Sequence, residues 1–185
     1  MRVKTGTTAL VAAAIALGLA GCGSSRAPGV QLAPQEGATT PPITTATSAS
    51  VTTPKTGPLS KEPSFKVPSG PPPAELKVIN LITGTGTAAQ DGDELWVNYV
   101  GKLYKGGKTF DASWKDTPGT AYGPLKLGAG AVIAGWDQGL LGMKVGGRRE
   151  LIIPPGLAYK AKGSPPSIPG NATLVFVVDL LKLSK

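Results

Sequence analysis

The sequence predicts an α+β domain over residues 75–185: an antiparallel sheet of five or six strands, half-wrapped around one short helix. Three observations predict it. Short apolar segments alternate with Gly- and Pro-rich turns, one segment alone has helical spacing, and neither βαβ alternation nor an internal repeat is present. The 111 residues from Glu75 onward are enough for one hydrophobic core without cross-links.

The elements follow in order. Leu76–Ile82 reads as a strand that ends in Thr83-Gly84-Thr85-Gly86. Glu94 to Tyr104 alternates and is rich in Val, Tyr and Trp, which marks a second strand. Lys105-Gly106-Gly107-Lys108 is a turn and Thr109-Phe110 begins the return strand, so a hairpin is expected. Leu125-Lys126-Leu127 forms a short strand before a Gly-rich turn. Apolar residues at 132, 133, 136, 140 and 141 place one short helix around Gly135–Leu141. Arg148–Ile153 and Ala172–Leu183 complete the strands.

Upstream, the composition changes twice. Residues 1–22 combine a basic start, an apolar stretch from Ala9 to Ala20 and small residues before Cys22, the pattern of a secretory signal peptide. The stretch is short of the ~20 residues that span a bilayer. Leu19-Ala20-Gly21-Cys22 resembles the bacterial lipobox, so Cys22 is expected to carry a lipid and hold the protein to an extracytoplasmic membrane surface. The plainer reading is a secreted protein with a chance cysteine. Residues 23–74 hold eleven of the eighteen prolines among Thr, Ser, Ala and Gly, and read as a disordered linker. Fully extended, those 52 residues would reach ~160 Å. Phe65 and Val67 within it suggest a short docking strand.

Composition also excludes chemistry. The chain has one cysteine and no histidine, so a disulfide framework, a common Cys/His zinc site and any Ser-His-Asp or Cys-His relay are ruled out. No cofactor is implied. The net charge of +8 falls to +4 from Glu75 onward, thirteen basic against nine acidic residues, with no basic stripe; nucleic-acid binding is not expected. Lys102–Thr109 imitates a phosphate-binding loop, but lysine occupies the first glycine position and the context is a hairpin turn. Asn171-Ala172-Thr173 fits a glycosylation sequon and is read as accidental.

Five segments occur in a telling order: Val97-Asn98-Tyr99-Val100-Gly101, Phe110-Asp111-Ala112-Ser113, Val132-Ile133-Ala134-Gly135-Trp136, Leu157-Ala158-Tyr159, and Ile168 to Phe176. Residues 75–185 thereby resemble the FKBP family of peptidyl-prolyl cis-trans isomerases. The resemblance implies an apolar pocket between sheet and helix. Trp136 would form its floor, and Tyr99, Phe110, Val132, Ile133 and Phe176 its walls. Asp111 and Tyr159 would supply rim polarity, the Ile133 N–H would donate to a substrate carbonyl, and Ile168 would lie on an overhanging loop. It further implies proline-containing exported polypeptides as partners, macrolides such as tacrolimus or rapamycin as ligands, and a monomer.

The chemistry agrees with this composition. Rotation about an X–Pro bond breaks amide resonance over a barrier of ~18–20 kcal/mol. The twisted state has a less polar carbonyl, so a dry aromatic pocket with positioned donors suits it, and no nucleophile, metal or imidazole is required. Each residue also has a plainer role: Tyr99, Val132 and Phe176 as core, Trp136 as a packing anchor, Asp111 as a turn former, and Tyr159 as a loop ring. A non-catalytic peptide-binding or chaperone module is the rival reading.

Departures from the family pattern are visible. Lys160 follows the rim tyrosine where glycine is common, Ser164 stands where histidine is frequent, and Ser167 replaces an apolar loop residue. The chain is about three residues longer around Asp116–Gly123 than the resemblance implies. The second wall aromatic has no clean match there, Tyr122 being nearest.

Overall fold

The computed structural model describes residues 50–116 and 118–185. The signal peptide, Cys22 and residues 23–49 of the linker lie outside the described residues. Among the described residues no helix is long and apolar enough to cross a membrane.

Six strands form one antiparallel sheet: β1 (Lys77–Ile82), β2 (Glu94–Leu103), β3 (Thr109–Ala112), β4 (Tyr122–Lys126), β5 (Arg148–Ile153) and β6 (Leu174–Ser184). Their order is β1-β5-β6-β2-β3, and β4 shares with β3 the free edge of β2. Two short helices accompany them, α1 (Ser113–Asp116) and α2 (Ala134–Gly139), with a 3₁₀ turn at Pro155–Leu157. The fold is the expected half-wrapped α+β sheet. The additional α1 and 3₁₀ turn are too short to leave a periodic signal. The fourth strand starts three residues earlier than expected, at Tyr122, because it pairs with β2 around a register shift between Leu95 and Val97.

Helix α2 lies against the inner face through small residues. A side chain at Gly139 would come within 2.7 Å of Leu151, and one at Gly135 would collide with Ile153. Only glycine lets the helix sit this close to β5, which is how the fully buried Trp136 reaches the middle of the sheet. The helix end is held by Arg149, whose Nη1 donates to the carbonyls of Gly139 (2.8 Å) and Leu141 (2.9 Å). A cation is favourable at that negative end of the backbone dipoles.

The outer face is covered as well, and here the linker expectation needs correction. On β6 the core side takes Leu174, Phe176, Val178 and Leu180. Val175, Val177 and Asp179, on the opposite side, are equally buried. An antiparallel sheet commonly leaves that face to water. Residues 50–74 instead dock upon it, anchored by outward-pointing groups of the sheet. Asn98 donates to Thr53 Oγ1 at 2.8 Å. Arg148 donates to the Lys61 carbonyl at 3.0 Å. Lys102 donates to the Phe65 carbonyl at 2.7 Å and sits 4.3 Å over its ring. Leu59 and Pro63 of the segment are buried. Residues 50–74 are therefore a strap on the domain, not a disordered linker, although Phe65 and Val67 form no strand. The covered face also buries carboxyls. Burial raises Glu150 above the usual carboxylate range, and raises Asp179 despite the opposing pull of Arg148.

Candidate active site

Between α2 and the inner face, four aromatic rings meet edge to face. Tyr99 projects from β2, Phe110 from β3, Trp136 from α2 and Phe176 from β6. The Trp136 ring lies 5.3 Å from Tyr99 (83° between planes) and 5.3 Å from Phe176 (87°). Phe110 meets Phe176 at 5.5 Å and 87°. Tyr99 is 6.2 Å from Phe176. That last pair is tilted at 58°; in the other three the T-shaped geometry sets the positive edge of one ring on the negative face of the next and adds ~0.5–1.5 kcal/mol per pair beyond burial. The cluster grades from wholly buried Trp136 and Phe176 to half-buried Phe110, so it opens toward the surface on the β3 side.

Gly101 makes the approach of Phe110 and Phe176 possible. A side chain there would stand 2.7 Å from the Phe110 ring and 2.8 Å from that of Phe176. Val132, Ile133 and Ile168 belong to the same hydrophobic cluster, with Phe110 and Tyr159 packed against it. Ile168 sits in a tight loop closed by paired backbone bonds to Ser164 (2.8 and 2.9 Å). Its side chain is buried in the core rather than presented to solvent.

Polar groups gather at one side. Tyr99 Oη donates to Asp111 Oδ2 at 2.9 Å, a bond buried with both residues. Burial pushes the Tyr159 hydroxyl up to about 12, helped by the charge of Asp111 and by Tyr122. Burial, then Asp111, raises Tyr122 likewise. Both hydroxyls therefore remain protonated, and able to donate, across the neutral range. Among the described residues the buried Tyr159 Oη and Trp136 Nε1 meet no partner. Ile133, the residue that opens α2, is extended (φ −62, ψ 145). Unpaired buried donors are rare in folded proteins and call for an explanation, such as a ligand.

The structure brings Tyr122 into this set. Its ring packs edge-on against Tyr99 at 5.5 Å and 82° while the residue stays 36 % exposed. Tyr122, the nearest candidate in the sequence for the second wall aromatic, thus stands beside Tyr99. The signal that finds it is register: Tyr122 pairs with Val97, two residues from Tyr99 along β2.

The ordered sequence segments imply an aromatic pocket, and the structure brings Tyr99, Phe110, Trp136 and Phe176 together. The family model described as FKBP-type peptidyl-prolyl cis-trans isomerase matches residues 85–181. The chain belongs to that family. It is 48 % identical over 124 residues to an FK506-binding protein of Streptomyces anulatus, covering 65 % of this chain and 96 % of that one. It is 44 % identical over 121 residues to a protein of Corynebacterium glutamicum named "Probable FK506-binding protein", covering 65 % and 98 %. The crystal structure of AtFKBP13 superposes with a TM-score of 0.55 at 34 % identity, covering 61 % of this chain and 96 % of that one. Within this FKBP-type domain Lys160 has φ +51, the left-handed conformation that glycine adopts without strain. Both its N–H (to Pro155) and its carbonyl (from Asn171) are bonded.

Proposed function

We propose that this chain catalyses cis-trans isomerisation of prolyl bonds in exported polypeptides, from a membrane surface to which Cys22 is lipid-linked. The observation that carries the catalytic part is the edge-to-face set of Tyr99, Trp136 and Phe176, joined by Tyr122 and bordered by unpaired donors. A proline ring entering it would lie against aromatic faces. As the amide twists, its carbonyl loses resonance polarity and tolerates the dry surroundings better than the planar form does. The Ile133 N–H or Tyr159 Oη would hold the neighbouring carbonyls in the twisted geometry. Asp111 fixes the Tyr99 hydroxyl and so the ring orientation. The names of the bacterial relatives support tacrolimus-like macrolides as ligands of the same basin.

Asp111→Val tests the polar half. Losing one buried hydrogen bond to a charged group, ~1.5–3 kcal/mol, loosens Tyr99 without emptying the basin. The rate on an Ala–Pro peptide is expected to fall less than in any ring-to-Ala variant; an Asp111→Val rate as low as theirs would make the carboxylate essential and contradict this assignment. For the anchor, Cys22→Ser should move the expressed protein from the membrane fraction to the soluble one. Retention in the detergent phase would show that Cys22 does not hold it.

A second reading, non-catalytic peptide binding, draws on a groove of about 790 Å³ between strap residues Pro68–Pro72, Tyr104 and the 169–173 loop. None of its lining residues belongs to the ring set. A protein that binds proline-rich peptides there without accelerating isomerisation would favour it.

A further inference from the structure

The strap reaches the basin by two routes. Thr52 bridges Thr120 in antiparallel fashion. Around that bridge Thr53 N–H donates to the Gly119 carbonyl (3.0 Å) and Ala121 N–H donates to the Val51 carbonyl (2.7 Å). Ala121 directly precedes Tyr122, the exposed wall ring, whose own strand is short and paired with β2 through a shifted register. The second route runs through side chains. Thr53 Oγ1 accepts from Asn98 Nδ2 at 2.8 Å, and the other end of that amide, Oδ1, accepts from Ser113 Oγ at 3.4 Å. Ser113 Oγ in turn accepts from the Tyr99 backbone N–H at 3.0 Å. Asn98 is wholly buried, so leaving its amide unpaired is costly.

From this we propose that Val51–Thr53 is a positioning element of the isomerase site, setting the Tyr122 wall against Tyr99 from outside the family-matched region. The proposal rests on the reading of the basin given above and adds a specificity element to it. Thr53 is the junction of the two routes: its N–H steadies the loop that carries Tyr122, and its hydroxyl orients Asn98 beneath Tyr99. Neither side chain touches the substrate, so Thr53 is a positioning residue. The wall contacts planar and twisted prolyl groups alike. Loosening it should therefore weaken binding more than turnover.

The test uses the full chain. Thr53→Ser keeps both bonds, Thr53→Val removes the hydroxyl acceptor, and Thr53→Pro also removes the N–H. Thr53→Ser should match the parent. Thr53→Val and Thr53→Pro should raise KM for an Ala–Pro peptide about three- to tenfold, the span of one ordinary hydrogen bond, with kcat within about twofold. Ring-to-ring NMR cross-peaks between Tyr99 and Tyr122 should weaken in the same order. Lys102→Ala, which frees the strap at Phe65, is the control. It should lower thermal stability and leave both KM and the cross-peaks unchanged. Thr53→Pro with parental KM and intact cross-peaks would overturn the proposal, and so would an equal KM rise in Lys102→Ala. The cross-peaks report the strap's action even in a protein that shows no isomerase activity, so failure of that reading and failure of this one are told apart.

Discussion

Trp136→Ala should cause the largest loss of activity of any single change in the basin, with a large loss of stability beside it. The ring is wholly buried and packs edge-on to both Tyr99 and Phe176. Emptying a buried aromatic site costs about 3–5 kcal/mol of stability. The two ring contacts, at about 0.5–1.5 kcal/mol each, also define the floor against which a prolyl group would rest. If all of that interaction, about 1–3 kcal/mol, acts on the twisted amide, kcat/KM falls by about five- to 150-fold. Stability and activity are separable with Trp136→Leu, which retains much of the volume and removes the ring. It should unfold less than the alanine variant in urea and yet remain nearly as poor a catalyst. A Trp136→Leu protein with near-parental kcat/KM would mean that volume alone, and no aromatic floor, is required.

Arg148→Ala should have the largest effect on stability outside the basin. Arg148 Nε and Nη2 hold both oxygens of Asp179 at 2.5 and 2.7 Å, and Asp179 is only 1 % exposed. Removing the arginine strands a carboxylate between strap and sheet, at a cost of about 3–5 kcal/mol, and releases the strap at Lys61. The pH dependence has a definite sign. Burial raises Asp179 even with Arg148 present, so the folded state holds its proton more tightly than the unfolded chain does. Stability then falls as pH rises from the ordinary carboxylate value through the raised one. Without Arg148 the folded value moves further up. The deficit of Arg148→Ala should accordingly be greatest near pH 7 and shrink as the pH is lowered toward the carboxylate range. Urea midpoints at pH 7 and pH 5 check this. A deficit that grows on acidification would mean that the pair does not bury its charge as described.

The parts of the molecule legible in the sequence are those set by local pattern. The alternation of β2, the glycine turn after it, the β5 run and the 3.6-period apolar residues around Trp136 all mark elements close to their observed bounds. The residues gathered at the basin were legible by order along the chain. Tyr122 was legible only as the nearest candidate, because its place depends on a register shift between β4 and β2 that no local pattern encodes. The strap was misread for a different reason. Its Thr- and Pro-rich composition lacks apolar bulk, and it is held by donors that the sheet supplies, namely Asn98, Lys102 and Arg148. A sign of it was present elsewhere. The unbroken apolar run Leu174–Val178 in an antiparallel strand means that both faces are covered, and residues 50–74 are the second cover.

The paired glycines of α2 carried a comparable signal. Gly135 and Gly139 stand four apart on one face, a spacing that lets a helix lie close against a strand. Gly101 plays the same part for the two phenylalanines. In each case the glycine is explained by what a methyl group would strike, not by a turn.

The central claim is that the ring basin takes hold of an X–Pro bond and hastens its rotation. NMR exchange spectroscopy of a short Ala–Pro peptide, with the full chain added in substoichiometric amount, measures this directly. Free peptide interconverts over tens to hundreds of seconds and gives no cis-to-trans exchange peaks at sub-second mixing times. Added protein should produce them, with the ring signals of Tyr99, Trp136 and Phe176 shifting as peptide saturates the basin. Peptide that stays at its uncatalysed rate, with those rings unmoved, would contradict the account.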